Sequence, residues 1–97
     1  MDLKGKKALI TGSGIRLGRA IALALAAEGC NLALHYHHSA EEVKEVQTAA
    51  LKMGVQAEIF QADLSNPEQL QQLMQAVTTA FGHIDILINN AGVYLNC

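Results

Sequence analysis

Basic residues are scarce in this chain: seven lysines and arginines stand against nine acids over 97 residues, with no run or stripe among them. Nucleic-acid binders normally carry a basic footprint, so nucleic acid is not an expected partner. Long apolar runs are missing as well. The longest, AIALALAA at residues 20–27, is too short to cross a bilayer, and the N-terminus has neither the charged nor the apolar region of a signal peptide. No membrane partner is expected, and the cytoplasm is the expected compartment. The two cysteines, Cys30 and Cys97, form no C-x-x-C pair. Cys30 lies between a glycine and an apolar stretch, which suits a small buried hydrophobe. Repeats, low-complexity segments and linkers are also lacking, so residues 1–97 are expected to form one domain.

What is present alternates. Residues 7–11 are expected to form a first strand and residues 17–28 a first helix ended by Gly29. Residues 31–36 give a second strand. The second helix starts at Ser39, where Ser39-x-x-Glu42 spells a capping box; Val43, Val46, Ala50 and Met53 mark its apolar face, and Gly54 its left-handed stop. A third strand follows at residues 56–61. Asn66-Pro67 opens the last helix, Leu70, Leu73, Met74, Val77 and Phe81 line one face, and Gly82 ends it before a fourth strand at residues 84–88. Strands alternating with helices predict a parallel sheet covered on its faces, an α/β class. The first helix is apolar almost all round, which predicts burial.

The link between the first strand and the first helix is Thr11-Gly12-Ser13-Gly14-Ile15-Arg16-Leu17-Gly18. Amides at a helix start have no intrahelical acceptor, and the helix dipole places partial positive charge there, so such a turn holds a pyrophosphate without a cationic side chain. Gly12 supplies the positive φ of a tight turn and Gly18 allows close packing of the helix on the sheet. The glycine spacing differs from G-x-G-x-x-G. It resembles the Thr-Gly-x-x-x-Gly-x-Gly turn of the short-chain dehydrogenases and reductases, with Arg16 in place of the middle glycine, a variant of the pteridine reductase-like branch. The resemblance implies cofactor contacts at Gly12, Ile15, Arg16, Leu17 and Gly18. It also implies a Rossmann-type three-layer sheet, here incomplete, with strand order 3-2-1-4.

At the end of the second strand, dinucleotide-binding folds place an acid that reads the adenosine ribose, about 20 residues past the glycines. Residues 29–40 contain no Asp or Glu, and Tyr36-His37-His38-Ser39 occupies that place. A carboxylate there would repel the 2′-phosphate of NADP, so its absence removes the main discriminator against NADP. Arg16 grips phosphate with a planar fork, a phosphate favours protonated histidine, and a serine hydroxyl donates to it. A solvated loop is the plainer alternative. A His-x-His metal pair is a third, disfavoured because no Cys, Asp or Glu clusters with it locally. His35-Tyr36-His37-His38-Ser39-Ala40 is similar to the His-Tyr-His-Arg-Ser-Ala signature of pteridine reductases, with His38 where that branch has arginine. The resemblance implies that Arg16, His37, His38 and Ser39 surround the 2′-phosphate and that NADP(H) is favoured over NAD(H).

Two later stretches fall where the family has its own. Asp63-Leu64 follows the third strand, where the family meets adenine; a turn aspartate before a helix is the alternative. Asn89-Asn90-Ala91-Gly92 follows the fourth strand, where the resemblance implies that Ala91 and Gly92 lie beside the adenosine ribose and the asparagines tie neighbouring strands, with Asn90 counted in the cofactor site. The family's Tyr-x-x-x-Lys pair is absent: Ala40 follows Tyr36 by four, and Tyr94 has no such partner within the 97 residues. No catalytic residue is therefore expected among them, and the chain is expected to be the cofactor-binding N-terminal part of a reductase. A non-catalytic dinucleotide-binding module and a sheet-edge interaction protein are the alternatives. The fourth strand, apolar and without a further neighbour, is expected to drive self-association through its edge and the uncovered sheet face.

Overall fold

A computed structural model describes residues 2–14 and 16–90. The elements run β1 (Lys7–Thr11), α1 (Arg16–Ala27), β2 (Asn31–Tyr36), α2 (Ala40–Lys52), β3 (Ala57–Gln61), α3 (Pro67–Phe81) and β4 (Ile86–Asn89). All pairings are parallel and the sheet order is β3-β2-β1-β4, as expected. Because side chains of a strand alternate between faces, both faces of the central strands carry apolar residues and both are covered. Ala8, Ile10, Leu32 and Leu34 pack with Ala22 and Ala26 of α1 and Val43, Val46 and Ala50 of α2. Leu9 and Ala33 belong to a second cluster with Leu73, Val77 and Phe81 of α3. Leu9 pairs in register with Ala33 on one side and Leu87 on the other, so β1 is the centre of the layered core.

Several expectations change. The apolar sequence of α1 does not bury the whole helix: Gly18, Ala22 and Ala26 form the buried stripe, while Leu17 is 59% exposed and Ala20, Ala24 and Ala27 face outward. A helix lying on a sheet buries only the stripe in contact, and among the described residues nothing covers the other side. For the same reason α3 buries Leu73, Val77 and Phe81 but leaves Leu70 and Met74 exposed. Met53, expected on the α2 core face, sits exposed at the C-cap, beyond the last buried position at Ala50.

The two helix starts differ in kind. Asn66 has the extended backbone of an N-cap, and its side chain accepts hydrogen bonds from the amides of Glu68 and Gln69. Ser39 precedes α2 with ψ of 50°, outside the extended region, and makes no side-chain cap bond, so the expected capping box does not form. Its carbonyl instead accepts from Val43 N. Strand limits shift slightly too. Gln56 donates its amide to the Asn31 side chain ahead of β3, and Asp85 bonds Lys7 through both backbone and carboxylate ahead of β4. The Lys7 ammonium in turn donates to the Phe81 carbonyl at the end of α3, where a cation suits the helix dipole. Cys30 is buried with its thiol directed to the Lys6 carbonyl, and burial raises its pKa above the ordinary thiol range.

The contrast between the caps is measurable. Asn66→Ala should lower unfolding stability in urea by about 1 kcal/mol, whereas Ser39→Ala should change it by no more than a few tenths.

Candidate functional site

In a parallel sheet all strands end on the same side, so the segments after β1, β2, β3 and β4 share one rim, and the ligand crevice of such sheets lies there. At its centre is the turn after β1. Gly12 has φ of 62°, which an L side chain resists. Its carbonyl accepts from Asn90 Nδ2 at 3.0 Å and is crossed by the first turn of α1. A Cβ on Gly18 would fall 2.1 Å from that carbonyl oxygen and 2.8 Å from Asn90 Nδ2, so only glycine fits. Gly14 meets a second constraint: a Cβ there would lie 3.0 Å from Ser39 Cβ and 3.2 Å from Val43 N at the start of α2. The turn is thus wedged between β4 and α2.

Amide use within the turn is divided. Gly12 N–H donates to His35 Nδ1 at 3.1 Å, and Ser13 gives both its N–H and its hydroxyl to the His35 carbonyl, at 3.0 and 2.8 Å. Those donors shape the loop. The amides left to face an anion are those of the first turn of α1, which have no intrahelical acceptors. Arg16, exposed at that turn, has φ of 50°. This is a left-handed backbone that costs a side-chain-bearing residue about 1–2 kcal/mol, which explains why a glycine suits the place.

The rim beyond β2 carries His37, His38 and Ser39. The two histidines are exposed with ring centroids 3.8 Å apart, and Gln61 Nε2 donates to the His37 carbonyl. Across from them, the Asp63 carboxylate accepts the Ser65 hydroxyl at 2.7 Å and the Ser65 amide at 3.0 Å. These bonds lower its pKa, and the fields of His37 and His38 act in the same direction to a lesser degree. Gln69 Oε1 takes the Asp63 amide. The turn-aspartate role is therefore present, and Leu64 beside it is half-buried against the α3 cluster. Asn89 and Asn90 do tie strands: Asn89 Oδ1 lies 3.2 Å from the Thr11 hydroxyl, and Asn90 reaches Gly12.

Of the residues singled out from sequence, Gly12, Gly18 and Asn90 touch, and Ser39 adjoins the turn through Gly14. His37, His38 and Asp63 share one field, while Arg16 and Leu17 lie exposed on the first turn of α1. Ile15, Ala91 and Gly92 lie outside the described residues. Sequence reasoning missed His35 and assigned no role to Ser13 or Gly14. The available signal was a histidine directly after the apolar run Leu32-Ala33-Leu34 inside a strand.

The model of the short chain dehydrogenase family matches residues 6–97. The chain belongs to that family. A hydroxynaphthalene reductase of Aspergillus fumigatus is 42% identical over 93 residues, covering 96% of this chain and 34% of that reductase. A short-chain dehydrogenase/reductase homolog of Bacillus subtilis is 38% identical over 93 residues, covering 96% of this chain and 85% of the homolog. Among solved structures, a Burkholderia cenocepacia dehydrogenase with bound NADP superposes with a TM-score of 0.87 at 36% identity, over 91% of this chain and 34% of that one. The chain thus spans about a third of the length of the reductase and of the dehydrogenase. In this short-chain dehydrogenase turn, two substitutions should act oppositely in thermal and urea unfolding. Gly18→Ala should lose about 2 kcal/mol or more to the clash with Gly12. Arg16→Gly should gain about 0.5–1 kcal/mol, the relieved strain less the entropy glycine adds to the unfolded chain.

Proposed function

We propose that these residues are the NADP(H)-binding N-terminal segment of a short-chain reductase of the pteridine reductase-like branch, acting on a carbonyl or pteridine-type substrate in the whole protein. The observation that carries the reading is Arg16: a permanently charged fork keeps a left-handed backbone that glycine would adopt without strain, and among the described residues it alone does so without being glycine. Strain retained at a ligand-facing position suggests function, and a 2′-phosphate is the group that an arginine gained there would serve. The surroundings fit. The close packing of Gly18 on the Gly12 carbonyl, which any Cβ would prevent, brings the start of α1 to the rim where a pyrophosphate would sit, and the acid-free end of β2 sets His37, His38 and Ser39 where a carboxylate would otherwise repel the phosphate.

In this reading the first-turn amides of α1 hold the pyrophosphate, Arg16, His37, His38 and Ser39 take the 2′-phosphate, and Asp63 and Leu64 meet the adenine. The family resemblance adds Ala91 and Gly92 beside the adenosine ribose, and counts Ile15 and Asn90 among the cofactor contacts. His38 in place of arginine weakens the preference for NADP without reversing it, since an imidazole lacks the permanent charge and planar fork of a guanidinium. The cofactor supplies hydride chemistry when bound. The 97 residues contain no Tyr-x-x-x-Lys pair, so by themselves they bind and orient without catalysing. In calorimetric titrations, Arg16→Ala should weaken NADPH binding by about 1.5–3 kcal/mol and leave NADH nearly unchanged. Equal losses for both cofactors would assign Arg16 to turn shape alone.

The edge of β4 favours a further role for this segment on its own. Leu87 is 60% exposed on a strand that pairs on one side only among the described residues. We propose that the 97-residue chain self-associates through this edge. Sedimentation at micromolar concentration should show a dimer or larger; a monomer contradicts the proposal.

A further inference from the structure

His35 is the one histidine inside the core, 1% exposed at the end of β2. Both ring nitrogens are engaged, and the partners settle its chemistry. Gly12 N–H is a donor, so Nδ1, 3.1 Å away, must be unprotonated. Nε2 lies 2.9 Å from the Ala62 carbonyl, an acceptor, so Nε2 carries the proton. The ring is therefore a neutral bridge between the glycine turn after β1 and the segment after β3, while its own carbonyl takes both Ser13 donors. From these contacts we propose that His35 is the positioning residue of the turn: a neutral Nε2–H imidazole that clamps Gly12 to Ala62 and releases Gly12 when it is protonated.

Release follows from valence. Imidazolium has two N–H donors and no acceptor, so a proton on Nδ1 would face the Gly12 N–H and remove that bond, while the Ala62 bond survives. Burial, the larger cause, opposes protonation; the Ala62 carbonyl favours it; and the nearby His37 opposes it, leaving the pKa of His35 below its ordinary 6.5. Of the groups packed around it, Gly12 and Ser13 of the turn and Ala62 carry no charge, and His37 lies on its own side of the rim. Asp63, next to Ala62, sits in the fields of both His37 and His38. The sign is fixed by these facts. Below pH 6.5 the unfolded chain takes up a proton that the folded one refuses, so this group's contribution to stability falls from there down to the folded-state pKa.

The effect on cofactor rests on the reading given above, whereas the clamp is tested on the free protein. In the isotope-labelled 97-residue chain, the ring-nitrogen shifts of His35 at neutral pH should be those of the Nε2–H tautomer. The Gly12 amide signal should titrate together with the ring on acidification. His35→Leu should speed hydrogen exchange of the Gly12 amide about ten-fold while amides of α3 keep their protection. His35→Asn, which keeps an acceptor near the Nδ1 position and cannot titrate, should restore protection and abolish the pH response. With NADP+ as probe, wild-type affinity should fall more on acidification than that of His35→Asn. An Nδ1–H tautomer, or a Gly12 amide indifferent to a folded His35→Leu, overturns the clamp. Should His35→Leu fail to fold, the wild-type tautomer and the pH response of His35→Asn decide in the same way. Clamp signatures without any NADP+ binding support the clamp and refute the nucleotide reading.

Discussion

The contact between the Gly12 carbonyl and the first turn of α1 governs the arrangement of everything around it. Gly18 passes so close that its missing Cβ is a geometric requirement. That approach brings the open amides of α1 to the rim of the sheet, where a helix start attracts negative charge. The carbonyl would be stranded by the crossing if Asn90 did not donate to it from the end of β4. On the other side, the amide of the same residue is taken by His35 from β2. One residue thus receives support from both neighbours of the central strand, which is why the turn keeps its shape in a loop of small side chains.

Charge on the rim is set by what sits opposite that turn. No acid occurs between Gly29 and Ala40, and the Asp63 carboxylate after β3 has Ser65 bound to it. In the proposed reading, this is the region that would take a further negative group with Arg16 and the histidine pair. The same turn carries backbone strain at Arg16. In the proposed reading, stability and ligand preference pull in opposite directions there, a tension common where a binding site overrides local conformational preference.

Much of this was readable from residue order. The alternation of short apolar runs with capped helical segments predicts the parallel sheet, because a strand buried on both faces needs helices to cover it, whereas the strand order is implied by the family resemblance alone. Asn66-Pro67 marked a real cap. Ser39-x-x-Glu42 did not, because Ser39 is held against Gly14 with a backbone conformation unsuited to side-chain capping. Composition likewise overstated the burial of α1, since an all-apolar helix still presents only one stripe to a sheet. His35 escaped notice for a physical reason: its role depends on Gly12 and Ala62, 23 and 27 positions away, and no local pattern encodes such a pairing.

We propose that the rim formed by the first turn of α1 and the end of β2 holds a 2′-phosphorylated dinucleotide. The most direct test maps amide shifts of the 97-residue chain on addition of NADP+, with NAD+ as the control. Perturbations are expected along residues 12–18, 37–39 and 63–64, with those at 16 and 37–39 present for NADP+ and much reduced for NAD+. Perturbations confined elsewhere, or identical for the two nucleotides at Arg16 and His37–Ser39, would contradict it.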